Sequence, residues 1–171
     1  MKSVVLLFNN CCIYEIVILN YFLKFTGKDV VFVSPDGKGI TAMEGYSINV
    51  EKKLEDIHAD DAELVVIPGG EIKEIDNEAV WKYLNAASEK NVVIAGICAG
   101  VDVLDHAGIL NGVRSTHSTE EDVVCDGNVI TARANGYVDF AIEVGKKMEL
   151  FEDEADLQET IDFWKKHKRM Q

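Results

Sequence analysis

The stretch Asn91-Val92-Val93-Ile94-Ala95-Gly96-Ile97-Cys98-Ala99-Gly100-Val101 changes character in its middle. Residues 92–94 are β-branched and apolar, as expected of a strand buried on both faces. Gly96, Ala99 and Gly100 carry little or no side chain, so the backbone there can turn sharply and approach a neighbour closely. Residues 101–107 then suit a helix. A strand that stops and restarts as a helix puts the residue at the turn, Cys98, on a nucleophile elbow. The first amides of such a helix lack intrahelical acceptors and carry partial positive charge. The sequence therefore predicts a Cys98 that favours thiolate over thiol.

Working outward, strand signals alternate with helical ones. A strand over 4–8 precedes a helix over 14–25 that Gly27 ends, and a second strand covers 30–33 before the turn Ser34-Pro35-Asp36-Gly37. Residues 40–43 and 46–50, separated by Glu44-Gly45, predict a short excursion of paired strands. A buried strand over 64–67 ends at Pro68-Gly69-Gly70, and a helix over 77–90 turns Val80, Trp81, Leu84 and Ala87 inward. Beyond the elbow come short strands over 114–116, 123–125 and 129–132, the last two joined by Asp126-Gly127-Asn128, and helices over 138–150 and 155–166. Alternation of this kind predicts an α/β fold, a doubly wound and mostly parallel sheet with helices on both faces, in a single domain over 1–171.

Composition narrows the partners. The 17 Lys and Arg against 30 Asp and Glu give a formal charge of −13, which repels polyanions, so no nucleic acid is expected. The basic cluster Lys165-Lys166-His167-Lys168-Arg169 reads as a solvated helix end, where cations suit the macrodipole. The apolar start ends at Phe8, too short for a signal peptide or a bilayer span, and no other run is long enough. A cytoplasmic protein with no membrane partner is expected. Cys11, Cys12, Cys98 and Cys125 show no CxxC or Cys/His spacing, so neither a disulfide nor a metal is expected. Cys11 and Cys12 follow the first strand, where a modulatory redox role near the crevice stays open.

In a doubly wound sheet, loops at the carboxyl ends of the strands form the ligand crevice. Three of them are unusual: the one leading to Glu15, Pro68-Gly69-Gly70 with its exposed amides, and the elbow. An acid, a donor loop and a thiol can thus converge. Val65-Val66-Ile67-Pro68-Gly69-Gly70, Ala95-Gly96-Ile97-Cys98-Ala99-Gly100, and Ala107-Gly108-Ile109-Leu110-Asn111-Gly112 leading to Thr116-His117 resemble the ThiJ/PfpI family, also written DJ-one/PfpI, of the class I glutamine amidotransferase-like superfamily.

The resemblance runs from Met1 to about Leu150 and implies a flavodoxin-like fold. It implies Cys98 as nucleophile, a protonated Glu15 in the first helix as its partner, an oxyanion-binding pair of N–H groups at Gly70 and Ala99, and His117 as a proton-transfer group. It also implies a homodimer. A carboxylate beside a thiolate is repelled, so the pair is expected to share one proton. Ala99 stands where the protease-like branch carries histidine, which argues against peptide hydrolysis. The isocyanide-hydratase branch typically has aspartate at the position of Glu15 and a hydroxyl residue after the cysteine, and this chain has neither. Three readings remain. One is a cofactor-free, cysteine-dependent enzyme acting on small reactive aldehydes, of glyoxalase III or deglycase type; the second is a redox-sensing or chaperone-like stress protein whose small-molecule partner is an oxidant of Cys98; the third is a structural or regulatory domain with a vestigial site. Whether Asp102 faces the pocket, Arg133 or Tyr137 meets a substrate, and His58 or His106 is more than structural are questions the sequence leaves to the fold.

Overall fold

The apolar N-terminal run forms β1 (Lys2–Leu6), fully buried from Ser3 onward. A strand covered on both faces needs no polar alternation, and it shows none. In the computed structural model, which describes residues 1–169, α1 (Val17–Phe25) follows, then β2 (Asp29–Ser34) and the antiparallel pair β3 (Ile40–Thr41) and β4 (Ser47–Ile48). The chain continues through β5 (Lys52–Lys53), β6 (Ala62–Ile67), α2 (Glu78–Glu89), β7 (Val93–Ile97) and α3 (Gly100–His106). It closes with β8 (Val123–Asp126), β9 (Val129–Ala132), α4 (Tyr137–Lys147) and α5 (Glu154–Trp164).

The main sheet has seven strands in the order β5-β2-β1-β6-β7-β9-β8. Every neighbouring pair is parallel except β8 with β9. α1 packs on α4 and α2 on α3, so helices cover both faces as a doubly wound sheet requires. Leu19 and Leu23 of α1, Leu84 of α2, Leu104 of α3 and Phe140 of α4 are all completely buried. From β1 the chain winds to β2 on one side and returns to β6 on the other. This reversal opens a crevice beyond the carboxyl ends of β1 and β6, with that of β7 beside it. Among the described residues, no helix is long and apolar enough to cross a membrane.

The helix over 77–90 is the best-defined of the predicted helices: Asn77 Oδ1 accepts from Ala79 N–H and Val80 N–H at 3.0 and 3.2 Å. Asn77→Ala is expected to cost about 1 kcal/mol of stability, measured by urea unfolding. Other predictions need correction. The helix over 14–25 begins only at Val17, and Glu15 lies in the preceding turn rather than in the helix, closed by Ile16 N–H to Ile13 O at 3.0 Å. There Tyr14 N–H is taken by the Glu44 carboxylate at 2.8 Å, so it joins no helical ladder.

Residues 114–116 form no strand. The Arg114, Ser115 and Thr116 N–H groups donate to Asp126 Oδ2, Ser118 Oγ and Thr131 Oγ1, leaving no backbone donor for a sheet. β5 was not foreseen: it is two exposed lysines on the sheet edge, where long charged side chains discourage further pairing. α4 stops at Lys147, short of residue 150. Glu149 turns left-handed (φ 53°), and Leu150 N–H reaches back to Gly145 O at 2.9 Å.

Candidate active site

β7 is buried along its whole length and delivers the chain to Cys98, whose φ is +55°. A left-handed non-glycine residue costs on the order of 1–3 kcal/mol and persists only where its surroundings impose it. Here Cys98 N–H is held by Ala132 O at 2.9 Å, while Cys98 O accepts Val101 N–H at 3.1 Å to start α3. Gly100 makes the elbow possible, since a side chain there would drive into the Ile67 carbonyl at the end of β6.

Glu15 reaches the same place from the loop after β1. It is 1% exposed, and its Oε2 accepts Gly69 N–H at 2.6 Å. Its Oε1 is buried with no hydrogen-bond partner among the described residues. Gly69 is the point where the parts meet. A Cβ built on it would lie 2.6 Å from Cys98 Cβ, 2.8 Å from Glu15 Oε2 and 2.9 Å from Cys98 Sγ. The thiol and the carboxyl therefore pack on a bare backbone. Ionised carboxylates are costly to bury, and burial raises the Glu15 pKa even though the Gly69 N–H opposes it.

Burial also raises the Cys98 thiol, followed by the Glu15 charge, against which the Ala99 N–H works. The sequence-based expectation of a thiolate set by the helix start is thus corrected: α3 is only seven residues long, and desolvation with Glu15 outweighs its first amide. Both groups resist ionisation, and the charge of either one opposes ionising the other. A thiolate forms here only while Glu15 keeps its proton.

In the donor loop Gly69 gives its N–H to Glu15. Gly70, at φ +126°, pairs with Cys11 as an isolated antiparallel bridge flanked by Cys12 N–H to Gly69 O (2.9 Å) and Glu71 N–H to Asn10 O (3.1 Å). In such a pair the Gly70 N–H points away from its neighbour. It meets no acceptor among the described residues.

His117 is held by two carboxylates. Its Nε2 lies 3.2 Å from Asp102 Oδ1 and its Nδ1 3.3 Å from Asp105 Oδ2, both on α3. Asp102 thus answers to His117, although its charge also raises the Cys98 thiol. Arg133 is a strut: its guanidinium donates to Thr116 O and Thr119 O at 3.1 and 2.9 Å, pinning the turn that carries His117. His106 is bound to Asp76 at 2.8 Å, away from the elbow.

Three residues near the crevice had no sequence motif of their own. Tyr14, edge-on to Tyr137 at 5.8 Å, is pushed up to about 12 by burial and then by Glu15. Glu44 is exposed, and against a desolvation that raises it the N–H groups of Tyr14, itself and Ile13 hold it below the usual carboxylate range. Cys12 is pushed up to about 11, by burial first and then by Glu15, Glu44 and Cys98. Their signal was position: all belong to the loop after β1 or to the β3–β4 turn folded against it.

A cysteine on a strained elbow, faced by a buried carboxyl across a glycine loop, defines a class of α/β proteins with a thiol at the crevice of a doubly wound sheet. The DJ-1/PfpI family model matches residues 1–147, and the chain belongs to that family. It is 28% identical over 138 residues to a protein of Pyrococcus abyssi named a deglycase, covering 71% of this chain and 83% of that one. It is 35% identical over 143 residues to a protein of Methanocaldococcus jannaschii, covering 72% and 70%. Among solved structures, the DJ-1 superfamily protein Atu0886 of Agrobacterium tumefaciens superposes with a TM-score of 0.86 at 24% identity, covering 98% of this chain and all of that one. Oxidized DJ-1 of Toxoplasma gondii gives 0.80 at 19% identity, covering 94% and 95%.

Proposed function

We propose that the protein is a cysteine-dependent enzyme acting on small reactive aldehydes, of the deglycase or glyoxalase III type. The observation that carries this reading is the apposition of Cys98 and the buried Glu15 across Gly69. The relatives named deglycases support it.

With methylglyoxal the chemistry closes without cofactor. Cys98 Sγ bonds to the aldehyde carbon as the carbonyl electron pair moves to oxygen, where the Gly70 and Ala99 N–H groups receive the charge. Glu15 protonates that oxygen, then, as carboxylate, removes the hydrogen from the same carbon and returns it to the neighbouring one, while the hydroxyl proton of the first carbon passes to the neighbouring oxygen. The first carbon reaches the thioester level as the second is reduced to an alcohol. Water then releases lactate and restores Cys98, so methylglyoxal plus water equals lactate. Purified protein is expected to form lactate from methylglyoxal, and Cys98→Ser to fall to background. Absence of lactate from the wild type across a panel of small aldehydes would end this reading.

His117 is assigned a lesser part. Bound at both ring nitrogens by α3 carboxylates, it can relay a proton toward solvent. His117→Ala is expected to lower kcat less than tenfold, well below the 10²–10⁴ typical of a direct acid–base group. A larger loss would place the imidazole on the substrate.

A second reading treats Cys98 as a peroxide-responsive thiol. It is favoured by the same half-buried sulfur, with the unengaged Gly70 N–H and a protonated Glu15 both able to donate to sulfur oxygens. Uptake of oxygen confined to Cys98 after mild peroxide treatment, read by intact mass and peptide mapping, supports it. Oxidation scattered over all four cysteines counts against it.

A further inference from the structure

Cys12 stands directly across from Gly69. The antiparallel bridge between Cys11 and Gly70, with Cys12 N–H bonded to Gly69 O at 2.9 Å, fixes that register. Residues opposed in an antiparallel pair project their side chains to the same face, with Cβ atoms about 4.5–5.5 Å apart. Gly69 has no side chain, but the direction of its missing Cβ is known: it points at Cys98 Cβ and Sγ, at 2.6 and 2.9 Å. The side chain of Cys12 therefore projects to the face on which Cys98 lies, and Cys98 with Glu15 Oε2 beside it fills the place a Gly69 side chain would take.

The neighbouring residue behaves differently. Cys11 is completely buried in the core, whereas Cys12 and Cys98 are both half-buried at the crevice. Each of the pair is thus reachable by a small solute. The charge of Cys98 is felt at Cys12, as expected of thiols sharing one crevice.

We propose that Cys12 is the resolving thiol of Cys98, closing an intramolecular disulfide across Gly69 when a hydroperoxide oxidises the elbow. The inference rests on Cys98 being a reactive thiol. In the first step the Cys98 sulfur takes the terminal oxygen of the hydroperoxide: an S–O bond forms, the O–O bond breaks, and the sulfur is oxidised by two electrons as the peroxide is reduced to alcohol or water. In the second, Cys12 sulfur attacks that sulfur, an S–S bond forms, the S–O bond breaks, and the hydroxyl leaves with the Cys12 proton as water. One hydroperoxide is consumed per disulfide.

The bond would hold the nucleophile in a form that a thiol reductant restores. It would also spare Cys98 the irreversible sulfinic and sulfonic states.

The test uses the full-length protein with one equivalent of hydrogen peroxide, followed by alkylation, intact mass and fragment mapping. Wild type and Cys11→Ser are expected to lose 2 Da and two alkylatable thiols, reversed by dithiothreitol, with Cys12 and Cys98 cross-linked. Cys12→Ser is expected instead to gain 16 Da at Cys98, and 32 Da only when a second equivalent is added. Oxygen added to wild-type Cys98 while Cys12 stays alkylatable would overturn the disulfide and leave the reactive elbow standing. A Cys11–Cys12 bridge, or a dimer linked through Cys125, would overturn it equally. A Cys98 inert to both peroxide and iodoacetamide would overturn the inference and the reactive elbow together.

Discussion

Gly69→Ala is expected to lower aldehyde turnover on the order of 100-fold and to slow alkylation of Cys98 by iodoacetamide, in a protein that still folds. The added methyl would sit 2.6 Å from Cys98 Cβ, 2.8 Å from Glu15 Oε2 and 2.9 Å from Cys98 Sγ, closer than real Cβ atoms come to anything. None of these atoms can step aside freely. Cys98 Cβ is fixed by a backbone held at φ +55° between Ala132 O and the start of α3. Glu15 Oε2 is held by the N–H of the very residue being changed, at 2.6 Å. The loop or the elbow must shift by several tenths of an ångström to 1 Å, which misaligns sulfur, acid and donors together.

Overpacking of this kind costs about 1–3 kcal/mol, within what a domain of this size tolerates. The fold is therefore expected to survive with a lowered urea midpoint. The alkylation rate is a readout that needs no knowledge of the substrate. A folded Gly69→Ala protein with wild-type turnover and alkylation would show that the packing of thiol on acid is incidental.

The elbow was legible because its causes are local. A β-branched run, a small-residue turn and a helical continuation fix the path of the chain over a dozen residues, and the +55° at Cys98 is the geometry such a path demands. The mostly parallel, helix-covered sheet followed from the alternation of strand and helix signals. What was not legible is which groups meet across loops. Gly69 and Gly70 look alike in sequence, yet one binds the acid and packs under the sulfur while the other turns its N–H outward.

His117 was expected in the site by resemblance, but its hydrogen bonds go to Asp102 and Asp105, and carboxylates one turn apart on a short helix carry no mark of their partner. Residues 114–116 read as a strand by composition. Side-chain acceptors at Asp126, Ser118 and Thr131 claimed their amides, and such competition is set by tertiary contact rather than local propensity. Glu15 was read as the first turn of a helix because its apolar neighbours fit helical spacing; the bonds made by Tyr14 and Glu15 to Glu44 and Gly69 delay that helix to Val17.

Glu15→Gln is expected to separate proton transfer from thiol reactivity. Glutamine is isosteric: its oxygen can still accept Gly69 N–H and its amide can still donate toward sulfur, but it cannot take or return a proton. Turnover is expected to fall by about 10²–10⁴, while alkylation of Cys98 persists. Removing the carboxylate also removes the second-largest cause of the raised thiol, after burial, so the midpoint of the alkylation rate with pH is expected to move down. The same variant carries a stability signature. In the unfolded chain Glu15 gives up its proton near the ordinary 4.5, whereas in the folded protein burial keeps the proton to higher pH. Between the two values the folded state binds the extra proton, so rising pH favours unfolding, by at most about 1.4 kcal/mol per pH unit. Glutamine has no proton to lose. Unfolding measured in urea from pH 4 to 8 is therefore expected to show the stability of Glu15→Gln gaining on wild type as pH rises above about 4.5, until the folded-state carboxyl itself ionises. A stability difference flat in pH would mean that Glu15 titrates normally in the folded protein, and an unchanged turnover would remove it from the chemistry.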